Sequence, residues 1–188
     1  MKKVEKGKAG YVAFEKKKRF LVMAVMLAIP IGIFITGYMR TGTRKNFLTL
    51  IAILGVLPAA RFAVNFIMIM MQKDVSSDIV RQTEHLAGKL VHGYELIFTL
   101  SEGQMPCDAV VIGNKSIVGF APRGKQDLVP IFEKHIGKAM AAGGHRGMKA
   151  KIFRDEKQYL KRIEMLAGEA TDREFDEACM TTVKAITL

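Results

Sequence analysis

The chain has 188 residues, enough for one or two domains, and its 49% hydrophobic and 25% charged side chains exclude disorder over the whole length and a collagen-like or low-complexity chain. Two cysteines exclude a disulfide framework. A net charge of +11 invites a nucleic-acid partner, but the charge is unevenly placed. Residues 1–19 hold eight basic and two acidic side chains, and Arg40, Arg44, Lys45 and Arg61 add four more positive charges. The 117 residues from Gln72 to Leu188 hold 17 basic and 16 acidic side chains. The excess therefore accompanies the apolar segments, and nucleic acid is not expected as a partner of the near-neutral remainder.

In chain order, a basic segment (1–19) comes first and is expected to lie in the cytoplasm. Phe20 to Met39 is a run of twenty residues without a charge, long enough as a helix to cross a hydrocarbon core. It is too long for a signal peptide's apolar region and ends Tyr-Met-Arg without a small-residue cleavage site. Phe47 to Met71 is a second apolar run, of 25 residues, interrupted by Pro58, Arg61 and Asn65. An arginine near mid-membrane costs about 2.5–3.5 kcal/mol, which the surrounding Leu, Ile, Phe, Val and Met offset. Arg61 and Asn65 are four apart on one helical face, and Pro58 frees a carbonyl one turn earlier. That face should meet protein or a bound anion, or else Arg61 snorkels from a tilted helix.

Residues 20–71 thus form a two-helix transmembrane hairpin (20–39 and 47–71) with a short external connector. Its orientation follows from the Lys and Arg flanks: with both ends inside, eleven basic residues face the cytoplasm and three the outside. Lys16, Lys17, Lys18 and Arg19 abut the apolar boundary and are expected to meet anionic lipid head groups. The lipid bilayer is the expected partner, with a protein partner in the membrane as the second.

Residues 72–188 read as a cytoplasmic α/β domain. A helix is expected over 76–91, capped by Ser76 or Ser77, with Ile79, Val80, Leu86, Ala87, Leu90 and Val91 as its stripe. In residues 94–100 Tyr94, Leu96, Phe98 and Leu100 alternate with Glu95, Ile97 and Thr99, which predicts a strand with those four on one buried face. Glu102 to Pro106 would turn the chain into strands 108–112 and 116–120, joined through Gly113-Asn114. Asp127 opens a second helix, with Pro130 in its first turn and Leu128, Phe132, Ile136 and Met140 at helical spacing. Gly143 to Gly147 reads as its C-cap and turn, since a P-loop would need a Lys-Ser or Lys-Thr pair entering a helix. Met148 to Phe153 is a fourth strand. Asp155 with Gln158 and Thr171 with Glu174 have capping-box spacing for two last helices, the final one with the stripe Phe175, Ala178, Thr182, Val183 and Ile186. His85 and His92 lack partners at zinc-ligand spacing, and Cys107 and Cys179 are expected as separate reduced thiols. The basic residues from Arg146 to Arg162 read as a solvated edge and helix face.

The order helix, three-strand meander, helix, strand, followed by two helices, is the core order of restriction-endonuclease-like domains. The stretch CDAVVIGNKSIVGFAPRG resembles the centre of a bacterial nuclease-related domain, over roughly residues 76–165. In that family an Asp opens the second strand and a Glu-x-Lys triplet ends the third; the Asp and Glu bind a metal that activates water. The resemblance puts Asp108 at the Asp position and Ala121, Pro122 and Arg123 at the triplet, so the Glu is missing. Glu84, on the first helix, resembles a helical acid of such domains. The resemblance implies a domain that has lost catalysis. With the two apolar runs and their basic flanks, the chain is expected to be a two-pass protein of the bacterial plasma (inner) membrane, with both termini cytoplasmic and no cofactor. That protein would bind or scaffold at the membrane. Two alternatives stand beside it: a membrane-tethered nuclease using magnesium, with Asp108 and a second carboxylate from Glu84 or Glu95, and an accessory subunit that packs Arg61 and Asn65 into a larger bundle.

Overall fold

A computed structural model describes residues 4–100 and 102–187. The chain divides into two compact units, one of residues 12–73 and one that joins the first eleven residues to residues 74–188.

The smaller unit is a helical hairpin. Helix α1 (Tyr11–Thr41) and helix α2 (Phe47–Met70) are both long and apolar enough to cross a membrane, and most of their large apolar side chains are exposed. Helix α1 starts nine residues before the apolar run, so the lysine cluster is helical and continuous with it. Asn46 caps α2, its side chain accepting from the Thr49 N–H at 2.8 Å. The less exposed positions of α2 include Leu48, Ala52, Gly55, Ala59, Phe62, Phe66 and Ile69, a spacing that alternates four and three. In α1 they include Arg19, Met23, Met26, Pro30, Ile33 and Gly37 at the same spacing. This is the seam of a left-handed helix pair, with small residues where backbones approach. A Cβ on Gly55 would stand 3.4 Å from Pro30, and one on Gly37 only 2.8 Å from the Cβ of Leu48.

The larger unit is a four-stranded sheet between two helical layers. Helix α3 (Ser77–Ala87) is capped by Ser76 and is followed by β1 (Val91–Leu100), β2 (Gly103–Gly113) and β3 (Ser116–Phe120). A 3₁₀ turn (Gln126–Leu128) then leads into α4 (Val129–Ala142), β4 (Lys149–Phe153), α5 (Glu156–Ala167) and α6 (Arg173–Ala185). The strands lie in sequence order, β1 to β3 antiparallel and β4 parallel to β3. Against one face Leu96, Phe98, Cys107 and Ile117 meet Phe132, Ile136 and Met140 of α4 and Cys179, Met180 and Val183 of α6. Against the other, Tyr94, Val111, Val118 and Phe120 meet Ile79 and Ala87 of α3 and Tyr159, Ile163 and Leu166 of α5. Phe98 packs edge-on to Phe132 at 4.7 Å between ring centres, and Phe120 stacks on Tyr159 at 5.0 Å. Each such fully buried side chain contributes about 1.5–3 kcal/mol.

The element order agrees with the sequence, and several details correct it. Tyr94 does not share a face with Leu96, Phe98 and Leu100: Glu95 has φ of +55°, and β1 changes face there. Residues 103–106 belong to β2 rather than to a turn, with Pro106 opposite Ile97. Because β3 ends opposite Ala109, Pro106 lies where β2 has one neighbour, a position proline tolerates. The β2–β3 turn centres on Asn114 and Lys115, with φ of +45° and +54°. The first helix ends at Ala87. Helix α6 is capped by Asp172, not Thr171, whose hydroxyl instead donates to the buried carboxylate of Asp176. The buried face of α6 centres on Cys179, Met180 and Val183, with Phe175 and Ile186 at its margins.

The first described residues are part of this unit. The Tyr94 N–H donates to the Gly7 carbonyl at 2.9 Å, and Lys6 Nζ donates to the Thr187 carbonyl at 2.5 Å. Phe98 also bridges to Thr187, so the outer edge of β1 is covered by both ends of the chain.

Candidate functional site

Asp108 stands in mid-strand on β2, directly across from Glu95 of β1, between the paired rungs Tyr94–Ala109 and Leu96–Cys107. At this rung the left-handed Glu95 breaks the alternation, and both carboxylates end up buried, at 6% exposure for Glu95 and 8% for Asp108. Neither meets apolar surroundings alone. Glu95 accepts the Val75 N–H at 3.2 Å, and Asp108 accepts from the Arg123 guanidinium.

The route that brings Arg123 to Asp108 begins at the end of β3. The Ala121 N–H donates to the Phe153 carbonyl at 2.9 Å, which extends the parallel ladder by one rung. A tight turn follows, closed by the Gly124 N–H on the Ala121 carbonyl at 3.0 Å, with Pro122 and Arg123 at its centre. Gly124 is needed for close approach, since a Cβ there would lie 2.4 Å from the Met105 sulfur. Arg123 is thus held at the sheet end, where it matches the charge of Asp108.

Burial raises the carboxyl of Asp108 above its ordinary value; the Arg123 guanidinium opposes this, and the facing Glu95 adds to it. The adjacent Cys107 thiol is also pushed up, by burial and by Asp108. The other cysteine, Cys179, is pushed up to about 11 by burial and Asp176; both thiols are free and buried. Such thiols are poor nucleophiles.

Glu84 lies on the exposed side of α3 and lines a 280 Å³ groove together with Asp74, Arg81 and Glu95. It contributes, after burial, to raising the Tyr94 phenol. The structure therefore gathers Glu95 and Asp108 at one rung and places Glu84 at the groove that Glu95 borders. Arg123 is the residue whose role the sequence did not disclose, and its only signal there was a cation at the third position of the triplet. Ala121, which the sequence resemblance set at the Glu position, is fully buried.

The donor set does not fit a magnesium ion. One carboxylate is engaged by a guanidinium, the second accepts a backbone N–H, and Arg123 brings a fixed positive charge to the site. Among the described residues no group of three or more His, Cys, Asp and Glu is arranged to hold a metal. His92 packs beside Tyr94 with its Nδ1 3.1 Å from the Leu90 carbonyl, and His85 is exposed. His145 of the Gly143–Gly147 loop packs edge-on to Phe175 and bonds Thr182.

In the hairpin, Arg19 Nε reaches Glu15 at 3.0 Å and its guanidinium reaches the Asn65 carbonyl at 3.5 Å, while Lys18 meets the same Glu15 at 3.1 Å. Of the four basic residues at the boundary, Lys17 and Lys18 are exposed, Lys16 is half-buried and Arg19 is committed to the helix pair. Arg61 and Asn65 are exposed, off the seam with α1. The register that sets Asn65 against Arg19 also sets Arg61 about 6 Å along the axis from that level, one turn inside the apolar boundary rather than near its middle.

Comparison with protein-family models, with curated proteins and with solved structures returns no match.

Proposed function

We propose that the chain is a two-pass protein of the bacterial plasma membrane whose cytoplasmic α/β domain binds or scaffolds at the membrane without catalysis of its own. The observation that carries the absence of catalysis is the Asp108–Arg123 ion pair. A nuclease of the resembled kind would need that carboxylate for a cation, and here the protein supplies the cation itself. A metal would have to displace a partly buried, charge-assisted contact and would find Ala121 where the resembled family has a second ligand.

Membrane insertion is supported by the two long apolar helices with exposed side chains and by their small-residue seam. That both termini share one side is supported by the contacts of Gly7 with Tyr94 and Lys6 with Thr187, since segments that bond to each other lie in one compartment. The eleven-to-three excess of basic flanking residues then favours the cytoplasm. The test is incubation of the full-length protein in detergent with plasmid and magnesium or manganese. No cleavage is expected, and cleavage abolished by Asp108→Ala overturns the reading.

One observation favours the nuclease alternative: Glu95 directly faces Asp108, so a second carboxylate is present at the rung. It is distinguished by Arg123→Ala, which frees Asp108; metal-dependent cleavage gained by that variant would mark a nuclease whose site the arginine closes.

A further inference from the structure

The two edges of the sheet are treated differently. The outer edge of β1 is covered by Gly7 and Thr187. On β4, Lys149 donates its N–H to the Lys115 carbonyl and the Phe153 carbonyl accepts from Ala121, so residues 149, 151 and 153 bond inward to β3. Ala150 and Ile152 therefore turn their backbone groups outward. The Ile152 N–H is taken by the Glu133 carboxylate at 3.2 Å, which leaves the N–H and carbonyl of Ala150 and the carbonyl of Ile152 as the outward groups; Ala150 lines a 650 Å³ groove that also takes in Ser116, Ile117 and Val118 of β3. The exposed Lys149 and Lys151, with Arg162 of α5, form the basic wall of that groove, although Arg162 also faces Glu169 at 4.0 Å.

We propose that the β4 edge takes up an extended acidic segment of a partner protein as a fifth strand. Alternating donors and acceptors on a strand edge match a peptide backbone, and the side chains beside them set specificity. Because side chains of a strand alternate, every second residue of the incoming segment faces the lysine wall and should be Asp or Glu, while the others face the Glu133 side and should be apolar or basic. A second copy of this chain is disfavoured, since pairing β4 with β4 would set Lys149 and Lys151 against lysines. A nucleic-acid backbone has no use for the exposed carbonyls and would meet Glu133.

The inference rests on the binding role proposed above. Its test uses full-length protein in detergent and a short fluorescent peptide alternating Asp and Val, with the Lys and Val counterpart and a thymidine oligonucleotide as comparators, read by anisotropy. The acidic peptide is expected to bind, and Lys149→Glu with Lys151→Glu to weaken it by about tenfold, because each reversal exchanges an attractive cross-strand pair for a repulsive one. Ala150→Pro keeps the charge and the bonds to β3 but removes the outward N–H, and should abolish peptide binding with the melting temperature unchanged. Undiminished binding to Ala150→Pro, equal binding of the basic peptide, preferential binding of the oligonucleotide, or self-association through this edge would each overturn the proposal. A failure of the peptide to bind protein that shows no nuclease activity overturns the inference alone; metal-dependent cleavage removes the reading beneath it.

Discussion

Asp108, Glu95 and Arg123 form an electrostatic unit whose balance depends on pH. The carboxyl of Asp108 lies above its ordinary value, so its ionisation opposes folding: that share of stability is full below the unfolded pKa and is lost as pH rises through the folded one. Arg123 supplies the two influences that pull this pKa down. Arg123→Ala should raise it further and cost about 1–3 kcal/mol near neutral pH, scaled below the cost for fully buried pairs because the Arg123 side chain is 32% exposed. At about pH 2–3, below the ordinary aspartate value, Asp108 is protonated folded and unfolded, and the variant and the parent should melt together. Melting curves at both pH values check this; an equal loss at each would assign the cost to packing. The pair was only half legible in the sequence. Asp108 in an apolar strand signals a polar site, but its partner is fifteen residues away and reaches it through a turn that no periodicity announces. Glu95 was less legible still, because alternation assumes ordinary strand dihedrals and a left-handed glutamate violates them without a glycine to mark the spot.

Elements fared better where a local signal dominates. Asp155 caps α5 by accepting from the Gln158 N–H at 2.9 Å, as its spacing implied. For α6 the spacing pointed to Thr171 alone, but its hydroxyl is taken by the buried carboxylate of Asp176, and the cap is Asp172, which the sequence reading did not consider. Asp172→Ala should therefore cost about 1 kcal/mol in a thermal melt, the usual worth of an N-cap. The hairpin turn offers a comparison of opposite sign. Gly113 resembled turn chemistry, yet it is the last residue of β2, and its missing Cβ makes room for Leu90, which would lie 2.6 Å away. The left-handed positions are Asn114 and Lys115, and only the first suits that conformation. Lys115→Gly is expected to stabilise the domain by up to about 1 kcal/mol, and Gly113→Ala to destabilise it; reversal of either sign would mean the turn is centred elsewhere. Within the hairpin, Gly37→Ala brings a Cβ against the Cβ of Leu48 rather than against a movable side-chain end, so it should loosen the seam beside the connector. Faster hydrogen exchange of α2's first turn would report that loosening.

At the scale of the whole molecule the charge distribution and the fold bear on the same question, that of topology. Composition alone placed the basic excess around the two apolar helices, and this predicts which side the ends occupy but permits other arrangements if one helix fails to insert. The contacts of the first residues with β1 and the last described residue constrain more tightly. Strand β1 loses the cover of its outer edge if the N-terminal segment is on the other side of the bilayer, and an exposed edge of ten residues invites pairing with other chains. On the proposed membrane reading, an odd number of crossings would strip that cover from the domain, whatever the flanking charges prefer. Reporters fused to the two ends should accordingly give the same side, and that side should be the cytoplasm. Moving the bias, by exchanging Lys16, Lys17 and Lys18 for Glu and adding lysines to the connector, should invert both ends together or leave both in place. A variant whose ends fall on opposite sides while the domain still melts cooperatively would separate the N-terminal segment from the fold and defeat the argument. If such a variant instead aggregates, and a soluble peptide of the first eleven residues restores its solubility, the edge of β1 is identified as the surface that the segment protects.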